Sequence, residues 1–136
     1  MSKLDHHAAL IYTMVMVSAA DRNMTDSELR AIGDTVRQLP VFVDFSEDEL
    51  PKIAESCAAL LNDDDGFETV LTIISESLPA KLRETAYALA CDVAAADLDI
   101  VESEMTVLQQ LRWRLSIDRL TAAAIERGVR ARHQTI

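Results

Sequence analysis

Two stretches of the chain concentrate oxygen ligands at a shared spacing. "VSAADRNMTDSEL" spans residues 17–29 and "VAAADLDIVESEM" spans residues 93–105. In each, an aspartate (Asp21, Asp97) is followed seven residues later by a glutamate (Glu28, Glu104), and Asn23 or Asp99 adds an oxygen two residues after the aspartate. Clustered carboxylate and amide oxygens are what a hard divalent cation such as Ca²⁺, Mg²⁺ or Mn²⁺ takes. Without a cation, crowded carboxylates repel and favour protonation; with one, the repulsion becomes attraction. The candidate ligands are therefore Asp21, Asn23 and Glu28 in the first copy and Asp97, Asp99 and Glu104 in the second. The spacing is not that of an EF-hand, which needs a loop glycine and a glutamate at position twelve.

The same residues have a purely structural use. A helix C-terminus disfavours a carboxylate, but an aspartate there can close an Asx turn. Glu28 follows Thr25 by three residues, the spacing of a capping box. In the second copy Val101 stands where the first has Thr25, so Glu104 has no such hydroxyl and the capping explanation is weaker there.

The elements that must position these oxygens read as helices throughout. Leu4, Ala8, Ile11, Val15 and Ser18 recur at steps of four and three, predicting a helix from about Lys3 to Ala20 with one apolar stripe. A second helix starts at Thr25, carries Leu29, Ile32 and Val36 inward, and ends before Pro40. Ser46 with Glu49 suggests another capping box ahead of a third helix on Leu50, Ile53, Cys57 and Leu60, with Pro51 tolerated in its first turn. "NDDDG" (residues 62–66) marks a turn. Phe67, Val70, Leu71 and Ile74 define a fourth helix, and Leu82, Ala86, Leu89, Val93 and Ala96 a fifth. Met105, Leu108 and Leu111 define a sixth; Ser116 is the expected cap of a seventh, with Leu120, Ala124 and Val129 inward. No window alternates with the period of a strand. The expectation is an all-α, single-domain bundle of about seven helices over residues 1–136, containing two pseudo-symmetric hairpins of helix, acidic turn and helix.

Composition narrows the function classes. With 23 acidic against 13 basic residues the net charge is −10, which opposes binding to a phosphate backbone. Six of the basic residues fall between Arg112 and Arg132. They suit the C-terminal end of a last helix, or a docking face for an acidic partner. Cys57 and Cys91 sit in apolar helical stretches and read as buried thiols of a reducing compartment. The apolar run "AALIYTMVMVSAA" (residues 8–20) resembles a secretory leader, but Asp5, the single preceding lysine and the recurrence of the pattern within the chain argue against one. It is also shorter than the roughly 20 apolar residues that span a bilayer. The expectation is a cytoplasmic protein. No Ser-His-Asp or Cys-His arrangement and no phosphate-cradling glycine loop stands out, so the chain is not expected to be an enzyme. His6 and His7 are expected to be exposed.

"AADRNMTDSELRAI" and "AAADLDIVESEMTVL" resemble the two acidic segments of the TerB-like tellurite-resistance family, whose phrase is A-A-D-G followed by a glutamate seven positions after the aspartate. The resemblance implies an all-helical cytoplasmic protein with an acidic surface for divalent cations, linked to tellurite resistance or a broader stress response. It maps those acidic positions onto Asp21, Glu28, Asp97 and Glu104, with Asn23 and Asp99 as weaker candidates. The family's glycine after the aspartate is Arg22 here, and Leu98 in the second copy. Arg22 puts a competing cation beside Asp21. The alternative to cation binding is an interaction module, docking other proteins, whose acidic residues only cap helices.

Overall fold

The computed structural model describes residues 4–20, 25–96 and 102–136. Among the described residues there are seven α-helices and no strand. They are α1 (His6–Ser18), α2 (Asp26–Gln38), α3 (Leu50–Leu61), α4 (Gly66–Ser77), α5 (Arg83–Ala96), α6 (Glu102–Arg114) and α7 (Arg119–Arg132). The all-α expectation is borne out. No helix among the described residues is long and apolar enough to cross a membrane.

α1 differs from its expected single stripe. Every residue from His7 to Ser18 is buried, because α2, α3, α4, α5 and α6 all pack against it. A helix that is apolar all round belongs inside a bundle. Leu10, Met14 and Met16 therefore lie in the core beside the expected Ile11 and Val15. The buried polar groups are matched locally: Thr13 Oγ1 donates to the Ala9 carbonyl at 2.8 Å, and Tyr12 pairs its hydroxyl with Ser56 at 2.6 Å. Asp5 caps the helix by accepting from the Ala8 N–H.

Around α1 the helices show one apolar face each. α2 buries Ile32 and Val36, α3 buries Leu50, Ala54 and Cys57, and α4 buries Val70, Leu71, Ile73 and Ile74. α5 packs between α1, α6 and α7, so the two helices that lead into the acidic turns lie against each other. The α3–α4 turn needs its sequence. Asp65 adopts a left-handed φ of 58°, and a Cβ on Gly66 would collide with the carbonyl oxygens of Leu60 and Leu61.

Three local expectations are corrected. Ser46 makes no side-chain cap; residues 47–49 form a 3-10 turn instead, leaving Glu49 to pair with Lys52 at 3.6 Å. α7 is capped by Asp118, which accepts from the Thr121 N–H at 2.8 Å, while Ser116 takes the left-handed turn position at φ 58°. Val129 is buried as expected, together with Ala122, whereas Leu120 and Ala124 are exposed. On α6, Met105 points outward and Val107 enters the core with Leu111.

Candidate functional site

α2 is the most amphipathic helix of the bundle, and its polar edge forms one wall of a cleft of about 330 Å³. The other walls are the C-terminal ends of α1, α5 and α7, contributing Ser18, then Asp92, Val93 and Ala96, then Arg132 and His133. Ile32, Val93 and Ala31 line it with apolar surface, and Glu28, Asp34, Thr35, Asp92, Arg132 and His133 with polar groups. α1 and α5, the helices that precede the two acidic turns, thus both end at this cleft.

Its carboxylates have different partners. Glu28 closes a capping box as expected: the Thr25 N–H donates to Glu28 Oε1 at 2.9 Å, and the Glu28 N–H donates to Thr25 Oγ1 at 3.1 Å. Asp34 pairs with Arg37, whose guanidinium also reaches Glu47 at 2.6 Å. The hydrogen bonds to Asp34 and Glu47 hold the Arg37 pKa above its ordinary value. Asp92 accepts from Arg132 Nη2 at 2.6 Å and lies 3.4 Å from His133 Nε2. α7 reaches the cleft because α5 holds it farther back as well, where the Tyr87 hydroxyl donates to Glu126 at 2.6 Å. Burial, then the Glu126 bond, holds the Tyr87 pKa above its ordinary value.

Of the six candidate ligands, Glu28 lines the cleft and Glu104 is buried on α6, only 4% exposed. Asp21, Asn23, Asp97 and Asp99 lie outside the described residues. Glu28 and Glu104 are not joined by further ligands: among the described residues no group of three or more His, Cys, Asp or Glu side chains is placed to hold a metal ion. Carboxylate oxygens suit a hard cation, but a complete coordination shell would need the turn residues. Sequence reasoning missed Asp34, Asp92, Arg132 and His133. The pairing of Asp92 with Arg132 crosses 40 positions, and no local spacing announces it.

The histidine expectation is corrected. His6 is half-buried and His7 is buried. His7 Nε2 lies 2.9 Å from the Val41 carbonyl oxygen and 3.2 Å from Asp44 Oδ1. Both neighbours accept hydrogen bonds, so this nitrogen carries a proton. The ring packs against Phe42 and Phe45, with centroids 5.6 and 5.2 Å away, and fastens α1 to the segment after α2. The thiols are buried, as expected. Cys57 and Cys91 are free and buried, and burial pushes each pKa up to about 12. Neither is a thiolate near neutral pH, so neither is a ready nucleophile or soft-metal ligand.

No curated protein and no solved structure matches the chain. A family match covers nearly all of the chain. The family model for tellurite resistance protein TerB matches residues 7–127, and the chain belongs to that family.

Proposed function

We propose that this TerB-family chain is a non-catalytic module of tellurite resistance or a related stress response, acting in the cytoplasm. In this reading it binds a divalent cation, Ca²⁺, Mg²⁺ or Mn²⁺, through Asp21, Asn23 and Glu28 and through Asp97, Asp99 and Glu104, and passes occupancy to partner proteins. The observation that carries the reading is that the helices leading into both acidic turns end at one cleft, which Glu28 also lines. The buried neutral thiols fit a reducing compartment.

The test is calorimetric titration with each cation, alongside thermal melting. A ligand that binds only the folded chain stabilises it by about 2.7 kcal/mol at a hundredfold excess over Kd. The expected result is a saturable heat and a raised Tm, both lost in an Asp97→Asn/Glu104→Gln variant. Absence of heat and of a Tm shift at millimolar cation rejects the reading, as does an undiminished response in the variant.

The Glu28 capping box supports a second reading, in which the acidic residues only cap helices and the module docks a protein. Glutamine serves a capping box as well as glutamate does. If Glu28→Gln and Glu104→Gln together leave cation response and stability at wild-type values, capping suffices.

A further inference from the structure

The charge of the chain is not spread evenly. Residues 112–136 hold six arginines against two acids, Asp118 and Glu126, while the remainder holds seven basic against twenty-one acidic residues. Both acids of the C-terminal segment are engaged with the chain itself. Asp118 caps α7 through Thr121, and Glu126 accepts the Tyr87 hydroxyl. Arg114 is drawn to Glu68 and Thr72 on α4, and Arg132 to Asp92. Arg119, Arg127 and Arg130 are exposed, and among the described residues no carboxylate pairs with them. In a protein with ten surplus negative charges, three unneutralised arginines on one helix need an account.

The same surface is apolar where a bundle has no need of it. Ala122 and Val129 seat α7 on the core. At helical spacing on the opposite side come Leu120, Ala124, Arg127 and Ala131, with Arg119 and Arg130 along one edge. Leu120 is 82% exposed, and Trp113, on the last turn of α6 just before the short connection to α7, is 59% exposed. Tryptophan and arginine are the side chains that most often anchor protein interfaces.

We propose that the outer face of α7, with the exposed Trp113 shortly before it in the chain, docks an acidic amphipathic helix of a partner protein. Its carboxylates would meet Arg119, Arg127 and Arg130, and its apolar face would cover Leu120 and Trp113. A small acidic segment suits this surface better than an extended polyanion does. The basic face is local, whereas a nucleic acid or an anionic bilayer carries negative charge well past it toward the acidic remainder of the chain. Only charges within about a Debye length, roughly 8 Å at physiological salt, count strongly, so a short helix gains the attraction without the repulsion.

Trp113 is the chain's one tryptophan, so its fluorescence is a single-site probe just ahead of α7 in the chain. The full chain is titrated with a synthetic helical peptide bearing glutamates along one face and leucines along the other. Expected are a saturable blue shift of Trp113 emission that weakens with added salt, and affinity lowered at least about tenfold, or 1.4 kcal/mol, in an Arg119→Glu/Arg127→Glu/Arg130→Glu variant. Circular dichroism and Tm checks establish that this variant folds; an Arg-to-Gln triple variant replaces it if not. A lysine version of the peptide is expected not to bind. Equal binding of both peptides, no saturable binding, or undiminished binding to the folded triple variant overturns the proposal. So does tighter binding to single-stranded DNA or phosphatidylserine vesicles, or sedimentation showing that the face pairs two copies of this chain.

Discussion

Glu28 does two things through one carboxylate. Its Oε1 accepts the Thr25 N–H, and the side chain lines the cleft between α2 and the ends of α1, α5 and α7. The two roles separate by substitution. Thr25→Ala removes the hydroxyl that receives the Glu28 N–H and is expected to cost about 1 kcal/mol in urea denaturation, whereas Glu28→Gln keeps both bonds of the box and stays near wild type. This capping box was legible in the sequence because its partners are three residues apart. The environment of His7 was not, since Val41, Phe42, Asp44 and Phe45 reach it from the far side of α2. The thiols give a second prediction. Cys57 and Cys91 ionise near 9 when unfolded and near 12 when folded. Their raised folded values give a contribution fully present below about pH 9 and lost progressively as pH rises toward 12, because only the unfolded chain sheds those protons. Tyr87, also shifted upward, adds to the loss above pH 10. Stability measured by denaturant against pH is expected to fall over this range, with a shallower slope in Cys57→Ser/Cys91→Ser than in the native chain.

Helix count and order were readable because the breakers are few and well placed. Pro40, "NDDDG" and Pro79 separate amphipathic runs whose stripes recur in the core on α2, α3 and α4. The pattern failed on α1, where a stripe can be drawn through any apolar helix, so periodicity gave no sign that the helix is surrounded. It failed on α7 for another reason. Leu120 and Val129 lie nine residues apart, on opposite sides of a helix at about 100° per residue, so both could not face inward: Val129 is buried as expected, with Ala122, while Leu120 and Ala124 face out. A measurement distinguishes the two kinds of position. Leu10→Ala in the buried α1 is expected to cost about 2–5 kcal/mol through lost burial and a cavity, while Leu120→Ala on the exposed side of α7 is expected to stay within about 0.5 kcal/mol. The ordering of these two losses in urea melts checks the assignment of both helices. Of the site, the acidic turns were visible as a repeated phrase, but the cleft was not. Its walls come from four helices, and its Asp92–Arg132 pair follows from how α5 and α7 meet, whereas Asp34–Arg37 is a pair within α2.

At the scale of the molecule, surplus negative charge is both a burden and a means of separating two effects of a cation. A net charge of −10 on 136 residues works against the compact state through self-repulsion, and that repulsion is screened by any salt. Raising sodium chloride is therefore expected to raise Tm toward a plateau, without saturating at any stoichiometry. A divalent cation at the same ionic strength also screens, so a rise in Tm with Ca²⁺ alone says nothing about a site. Specific binding has a different signature: an added increment over the sodium chloride curve that saturates at low concentration, because binding to the folded state follows mass action. Each substitution in Asp97→Asn/Glu104→Gln removes one potential negative charge from a chain that has 23 acidic residues, so the sodium chloride curve of the variant is expected to stay close to that of the native chain. The divalent increment is expected to vanish. An increment that survives in the variant would assign the stabilisation to the acidic surface as a whole instead of to the second turn.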